Sequence, residues 1–197
     1  MFRQAGPATT GGRGAAEIYL AEDVVLQTAR TLARELGLAP IAPSTGAALR
    51  LFAAMVNARA VIEIGTGTGV SGLWLLRGMR ADGVLTTIDT DAEHQRFARR
   101  VFVEAGFVAS RSRVIAGRAL DVLPRLTDGG YDMMVVDGDP AEHEAAVAGA
   151  ARLLRPGGVV AVVGCTIELA DAVRDSSDVW LPALLPTPDG LLAAVRR

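Results

Sequence analysis

Apolar side chains recur at Val25, Leu26, Ala29, Leu32, Ala33 and Leu36. That is the 3.6-residue period of an amphipathic helix, so Glu22–Leu36 is predicted helical, with Gly37 as its stop. Pro40 and Pro43 mark a turn. Beyond it Leu49, Leu51, Phe52 and Met55 define a second helix, which Ser44 or Thr45 is placed to cap. From about residue 58 the pattern changes to short apolar runs: Ala60–Ile64, Val84–Ile88, Arg113–Ile115, Asp132–Val136 and Gly158–Val163. Helical patterns over Val70–Met79, Ala92–Ala105, Ala119–Leu126 and Glu142–Leu154 separate them. Continuously apolar strands alternating with helices predict an α/β architecture, a parallel sheet covered on both faces. The end of the chain differs. A modest helix over Thr166–Arg174 leads to Trp180–Leu185 and Leu191–Val195, a closing antiparallel hairpin around Pro186 and Gly190. Residues 1–16, rich in Gly, Ala, Thr and Pro, are expected to form a flexible tail. The remainder, 17–197, reads as one domain: a helical layer over 17–57 laid on a core over 58–197.

Composition narrows the chemistry. All 20 basic residues are arginine, so no lysine is available as a general base, a Schiff-base former or a P-loop phosphate ligand. The single cysteine, Cys165, excludes an internal disulfide and a cysteine-cluster metal site, and reads as an incidental thiol. No charge-free run is long enough to span a membrane, and Met1–Ala8 lacks a secretory core, so a cytoplasmic location is expected, with no membrane partner. Arginines are scattered among acids and the net charge is -2, which gives no nucleic-acid footprint. His94, among Glu93, Arg96 and Arg99, reads as part of a solvated helix face.

The strongest local signal is Val61-Ile-Glu-Ile-Gly65-Thr-Gly67-Thr-Gly69-Val-Ser71. A strand ends at Ile64, three glycines alternate, and a helix begins. Such a loop lets a ligand approach the backbone and offers it the free N–H groups of a helix N-terminus. Two cofactors compete for it. Gly67-x-Gly69-x-x-Gly72 matches the dinucleotide fingerprint, with Asp89 about 20 residues on. The register Glu63-x-Gly65-x-Gly67-x-Gly69 instead uses the acid inside the strand, which suits a cationic group such as the amino group of a methionine moiety. S-adenosylmethionine is the better match; a purely structural loop and a nicotinamide cofactor are the alternatives. Asp89 would bond a ribose diol in either case.

In these motifs the chain resembles the class I O-methyltransferases of the catechol and caffeoyl-CoA type, most closely their mycobacterial and actinobacterial branch. The resemblance runs from about Ala21 to Arg196. It includes Pro43-x-x-Gly46-x-x-Leu49, the Glu63–Ser71 loop, Gly83–Asp89, Gly117-Arg-Ala119, Asp132–Asp139, Leu154-Arg-Pro-Gly-Gly158 and Asp189-Gly-Leu191. It implies a Rossmann-like seven-stranded methyltransferase fold, S-adenosyl-L-methionine as cofactor with S-adenosyl-L-homocysteine as product, a small-molecule acceptor and a homodimer. Glu63, Gly65, Thr66, Gly67, Gly69 and Ser71 would surround the methionine part, and Asp89 with Thr90 would meet the ribose. Arg118 and Ala119 would line the adenine, the arginine being a departure. Asp137 would lie beneath the sulfonium.

Metal-dependent members carry Asp-Ala-Asp-Lys after the fourth strand and Asp-Asn after the fifth. Here the first motif is Asp137-Gly-Asp-Pro140, and Val163 and Gly164 stand at the second. One carboxylate does not supply the oxygen ligands of a hard divalent cation, so no metal is expected. Asp137 and His143 are the candidate catalytic groups. His143 would act as base if it pointed into the pocket, and otherwise is a partly exposed helix residue. The expected activity is metal-independent O-methylation of a small, phenolic hydroxyl acceptor. A degenerate enzyme that binds cofactor without turnover, and a metal-dependent catechol-type enzyme, are the alternatives.

Overall fold

A computed structural model describes residues 13–197. In chain order the elements are α1 (Arg13–Tyr19), α2 (Val24–Glu35), α3 (Pro43–Met55), β1 (Ala60–Ile64), α4 (Val70–Gly78), β2 (Val84–Asp89), α5 (Ala92–Glu104), β3 (Ser112–Ala116), α6 (Ala119–Val122), β4 (Tyr131–Val136), α7 (His143–Leu153), β5 (Leu154–Val163), α8 (Ile167–Asp175), β6 (Trp180–Leu185) and β7 (Leu191–Arg196). The strands form a seven-stranded sheet in the order β3-β2-β1-β4-β5-β7-β6. Strands β1 to β5 are parallel; β7 runs antiparallel to both β5 and β6. The chain winds outward from β1 to β3, then returns to the other side of β1 with β4. Such a reversal leaves a crevice at the carboxyl ends of the central strands.

Alternation along each strand divides the core in two. Val61, Leu85, Met133, Val135 and Ala161 pack with Leu26, Leu49, Leu73, Trp74 and Phe102 from α2 to α5. Ile62, Ile88, Met134, Val136 and Val160 pack with Ala146, Val147, Leu153 and Val173 from α7 and α8. This is why the central strands read as unbroken apolar runs.

Several expectations need correction. The tail expected over 1–16 lies outside the described residues up to residue 12, and Arg13 to Ala16 belong to α1. Neither Ser44 nor Thr45 caps α3: Pro43 occupies its first turn and Ala42 its cap position, without a side-chain cap. Two distant carboxylates take over. Asp189 accepts from the Ala42 amide at 2.8 Å and from Thr45 Oγ1 at 2.5 Å, while Glu17 accepts from the Ser44 amide at 3.3 Å. The Ala119–Leu126 helix breaks after Val122 into a 3-10 turn containing Pro124.

Candidate active site

The crevice opens as a cavity of about 610 Å³. Its floor is the glycine loop, 65–68, with Val70 and Ser71 at the start of α4. Gly65 sits at φ 90°, and a side chain there would collide with the backbone carbonyl of Asp137, so the loop and the end of β4 touch. Gly69, also at φ 90°, faces Phe102 and Ala98 instead. It seats α4 on α5 and is not among the residues that line the cavity.

Asp89, at the end of β2, fixes the loop. Its Oδ2 accepts from the amides of Thr66 and Gly67 at 2.9 and 3.0 Å, and its Oδ1 from the Asp91 amide at 2.9 Å. Behind the loop runs a buried relay: Thr66 Oγ1 lies 2.7 Å from Thr87 Oγ1, which donates to Glu63 Oε2 at 2.6 Å. Glu63 is fully buried and also does not line the cavity, so its expected place among the groups touching the cofactor is not met directly. Burial pushes its carboxyl up to about 7; hydrogen bonds from Thr87 and Ser71 act the other way. Its Oε1 has no partner.

Thr90, Arg118 and Ala119 line the cavity beside Asp89. Arg118 is bonded to Glu142 at 2.6 Å, an ion pair between two lining residues. His94 also lines it, with ring nitrogens 3.8 Å from Asp89 and 3.7 Å from Asp91. It does not belong to a solvated helix face. The signal was present in the sequence: a helix starting two residues after a strand returns its first turn to the strand's carboxyl end.

On the opposite wall stand Leu38, Ala39, Pro40 and Ile41, the link between α2 and α3. Arg30 holds this link in place. It bonds Glu22 through Nε and Nη2, at 2.8 and 2.5 Å, and donates to the Ile41 carbonyl at 2.6 Å. The glycine loop is tied to the same layer where Thr68 Oγ1 donates to the Ala29 carbonyl at 2.8 Å. Asp137 and Asp139 lie between the two walls. Burial, reinforced by the charge of Asp189, pushes the Asp137 carboxyl up to about 6.

The other candidate base is placed elsewhere. His143 is 3% exposed, which also overturns its reading as a partly exposed helix residue. It faces a separate cavity of about 220 Å³ with Thr166, Glu168 and Leu169. Its Nε2 lies 3.2 Å from the Gly138 carbonyl, and its Nδ1 has no partner. Val163 and Gly164 close β5 with no oxygen side chain. Among the described residues no group of three or more His, Cys, Asp or Glu is arranged to hold a metal ion. The donor set at Asp137 does not fit a hard divalent cation.

Residues 62–162 match a family model described as a methyltransferase domain. A relative from Mycobacteroides abscessus, named as an O-methyltransferase, is 46% identical over 92% of this chain and 92% of its own. A Mycobacterium tuberculosis relative, likewise named, is 46% identical over 92% of this chain and 88% of its own. Among solved structures, the O-methyltransferase TomG of Streptomyces achromogenes, in complex with S-adenosylmethionine and involved in tomaymycin synthesis, is 30% identical with a TM-score of 0.80. That match covers 93% of this chain and 94% of the other. A Corynebacterium glutamicum protein, also 30% identical, gives a TM-score of 0.82 over 93% of this chain and 94% of its own. The chain therefore belongs to the S-adenosylmethionine-dependent O-methyltransferases, in the branch shared with mycobacterial and other actinobacterial proteins.

Proposed function

We propose that this chain moves a methyl group from S-adenosylmethionine to the hydroxyl of a small aromatic acceptor, without a metal ion. The carrying observation is Asp137, a partly buried carboxylate at the junction of the glycine loop and the apolar wall, governed only by burial and a neighbouring carboxylate. The residues present fit the cofactor. A cavity of about 610 Å³ is ample for a ligand of that size. The first turn of α4, with Ser71, offers donors for the amino-acid carboxylate. Asp89 accepts from three backbone amides and keeps one lone pair, on Oδ1, for a ribose hydroxyl, and Thr90 lies beside it. Arg118 and Ala119 border the adenine end. Glu63 acts from behind, steadying Thr66 through Thr87.

Bound S-adenosylmethionine supplies an electrophilic methyl carbon, so that the acceptor's O–C bond forms as the C–S bond breaks. The chain's own part is placement and proton removal. Leu38, Pro40 and Ile41 hold an aromatic ring against the methyl group, and orientation of this kind is a large rate term. Asp137 takes the hydroxyl proton, and its raised pKa makes it a better base than an exposed carboxylate.

Calorimetric titration tests the cofactor: binding of S-adenosylmethionine and S-adenosylhomocysteine is expected, and of NAD not. Failure of both adenosyl ligands to bind would remove the reading. Methyl release over a phenol panel should be indifferent to EDTA, and Asp137→Asn should slow it by about 10²–10⁴. A requirement for magnesium would restore the metal-dependent alternative. The missing lysine and metal ligands favour one second reading, a protein that binds cofactor without turnover; adenosyl binding with no methyl release on any phenol would establish it. The setting we propose is a cytoplasmic homodimer. Exposed Ile18, Tyr19, Leu51 and Met55 on α1 and α3 support the second copy, and a monomeric sedimentation profile would remove it.

A further inference from the structure

We infer that the acceptor end of the cavity selects by charge, taking aromatic hydroxyl compounds that are neutral or carry an amine and rejecting those that carry a carboxylate. This rests on the O-methyl transfer reading and narrows its substrate. Asp137 and Asp139 line the cavity together with the apolar Leu38–Ile41 link, and Glu142 lines it too, paired with Arg118. Asp189, bonded to Ala42 and Thr45, lies close enough to Asp137 for its charge to be felt there.

The cations nearby are all engaged. Arg118 is held by Glu142 at 2.6 Å. Arg30, behind the apolar link, is spent on Glu22 and on the Ile41 carbonyl. His94 lies at the Asp89 end, between Asp89 and Asp91. The absence of lysine from the sequence leaves arginine and histidine as the only side-chain cations. Among the described residues lining the cavity, none is an unengaged cation placed to receive an acceptor's carboxylate.

Walls of one sign with an apolar backing focus their field into the cleft, and a like charge brought into it is opposed. An ammonium group on the acceptor meets the reverse situation. It finds acids to pair with, and its positive charge offsets the negative charge that grows on the oxygen as the proton leaves.

Three phenols on one skeleton decide the matter: tyramine, 4-ethylphenol and 3-(4-hydroxyphenyl)propanoate. Each is titrated into protein saturated with S-adenosylhomocysteine and assayed for methyl release with S-adenosylmethionine. The amine and the neutral phenol should exceed the carboxylate by about tenfold or more in affinity and in kcat/KM. Added salt should narrow that gap, as should Asp139→Asn, a change at an exposed residue. A carboxylate that binds and reacts as well as the amine overturns the inference, as does a gap indifferent to both salt and Asp139→Asn. If S-adenosylhomocysteine binds but none of the three phenols binds or reacts, the inference also fails. Failure of S-adenosylhomocysteine itself to bind marks instead the failure of the cofactor reading.

Discussion

Glu63 is a carboxyl group sealed beneath the glycine loop, with one oxygen bonded to Thr87 and the other without a partner. Burial raises its folded pKa from 4.5 to about 7. A carboxyl raised in this way holds its proton longer in the folded chain than in the unfolded one. Its contribution to stability is therefore full below pH 4.5 and is lost as pH rises through about 7. Glu63→Gln keeps the shape without a charge to bury. In thermal melts of the ligand-free protein it should flatten the decline between those limits and gain on the order of 1–3 kcal/mol at pH 8. Parallel melting curves for both proteins would refute this. His143 invites the opposite expectation. Buried against the Gly138 carbonyl and outside the cofactor cavity, it should affect stability and not catalysis. His143→Ala should lower the melting temperature while turnover per folded molecule, and its pH profile, stay unchanged. A collapse of turnover in a folded variant would return it to the site. That Glu63 and Asp89 carry weight was legible in the sequence, the one an acid inside the strand that leads into the glycine loop, the other at the end of the next strand. Which way each side chain points was not. The direction of Glu63 depends on the pleat of β1 beneath α4, and that of His143 on a 3-10 turn at 140–142, both tertiary facts.

Elements were read more securely than their ends. The central strands are buried on both faces, so hydrophobicity alone marks them. Their bounds move by one residue at Asp89, where pairing extends past the apolar run, and by four at β5, which starts at Leu154 and not at Gly158. The start of α3 could not be found by local rules, because its cap is not local. Ala42 offers no oxygen, and Asp189 and Glu17 supply it from far along the chain. Asp189→Ala should cost about 1–2 kcal/mol, the range of a lost helix cap, measured by denaturant unfolding. Asp189→Asn, which retains an accepting oxygen, should recover part of it. Equal stability of wild type and Asp189→Ala would show that water replaces the carboxylate without loss.

At the scale of the whole molecule, five parallel strands and a closing hairpin were legible, while the order β3-β2-β1-β4-β5-β7-β6 comes from the structure. The hairpin's geometry was only half foreseen, since β7 inserts between β5 and β6 and alone reverses direction. The cavity's second wall left no local signal in the sequence. Residues 38–41 carry no motif, and they reach the site because Arg30 and Thr68 bind the helical layer to the sheet.

The bond between Asp189 and Ala42 spans 147 positions, which gives synthesis a direction. Chains are made from the N-terminus, and domains complete their folding when their last contacts become available. The α3 helix is translated early, yet the carboxylate that finishes it arrives with the final hairpin. Until then α3 lacks that carboxylate at its open end, while Arg30 already ties the 38–41 link to Glu22. A nascent chain halted before Asp189 would thus present the sheet's first strands with α3 still uncapped from that side.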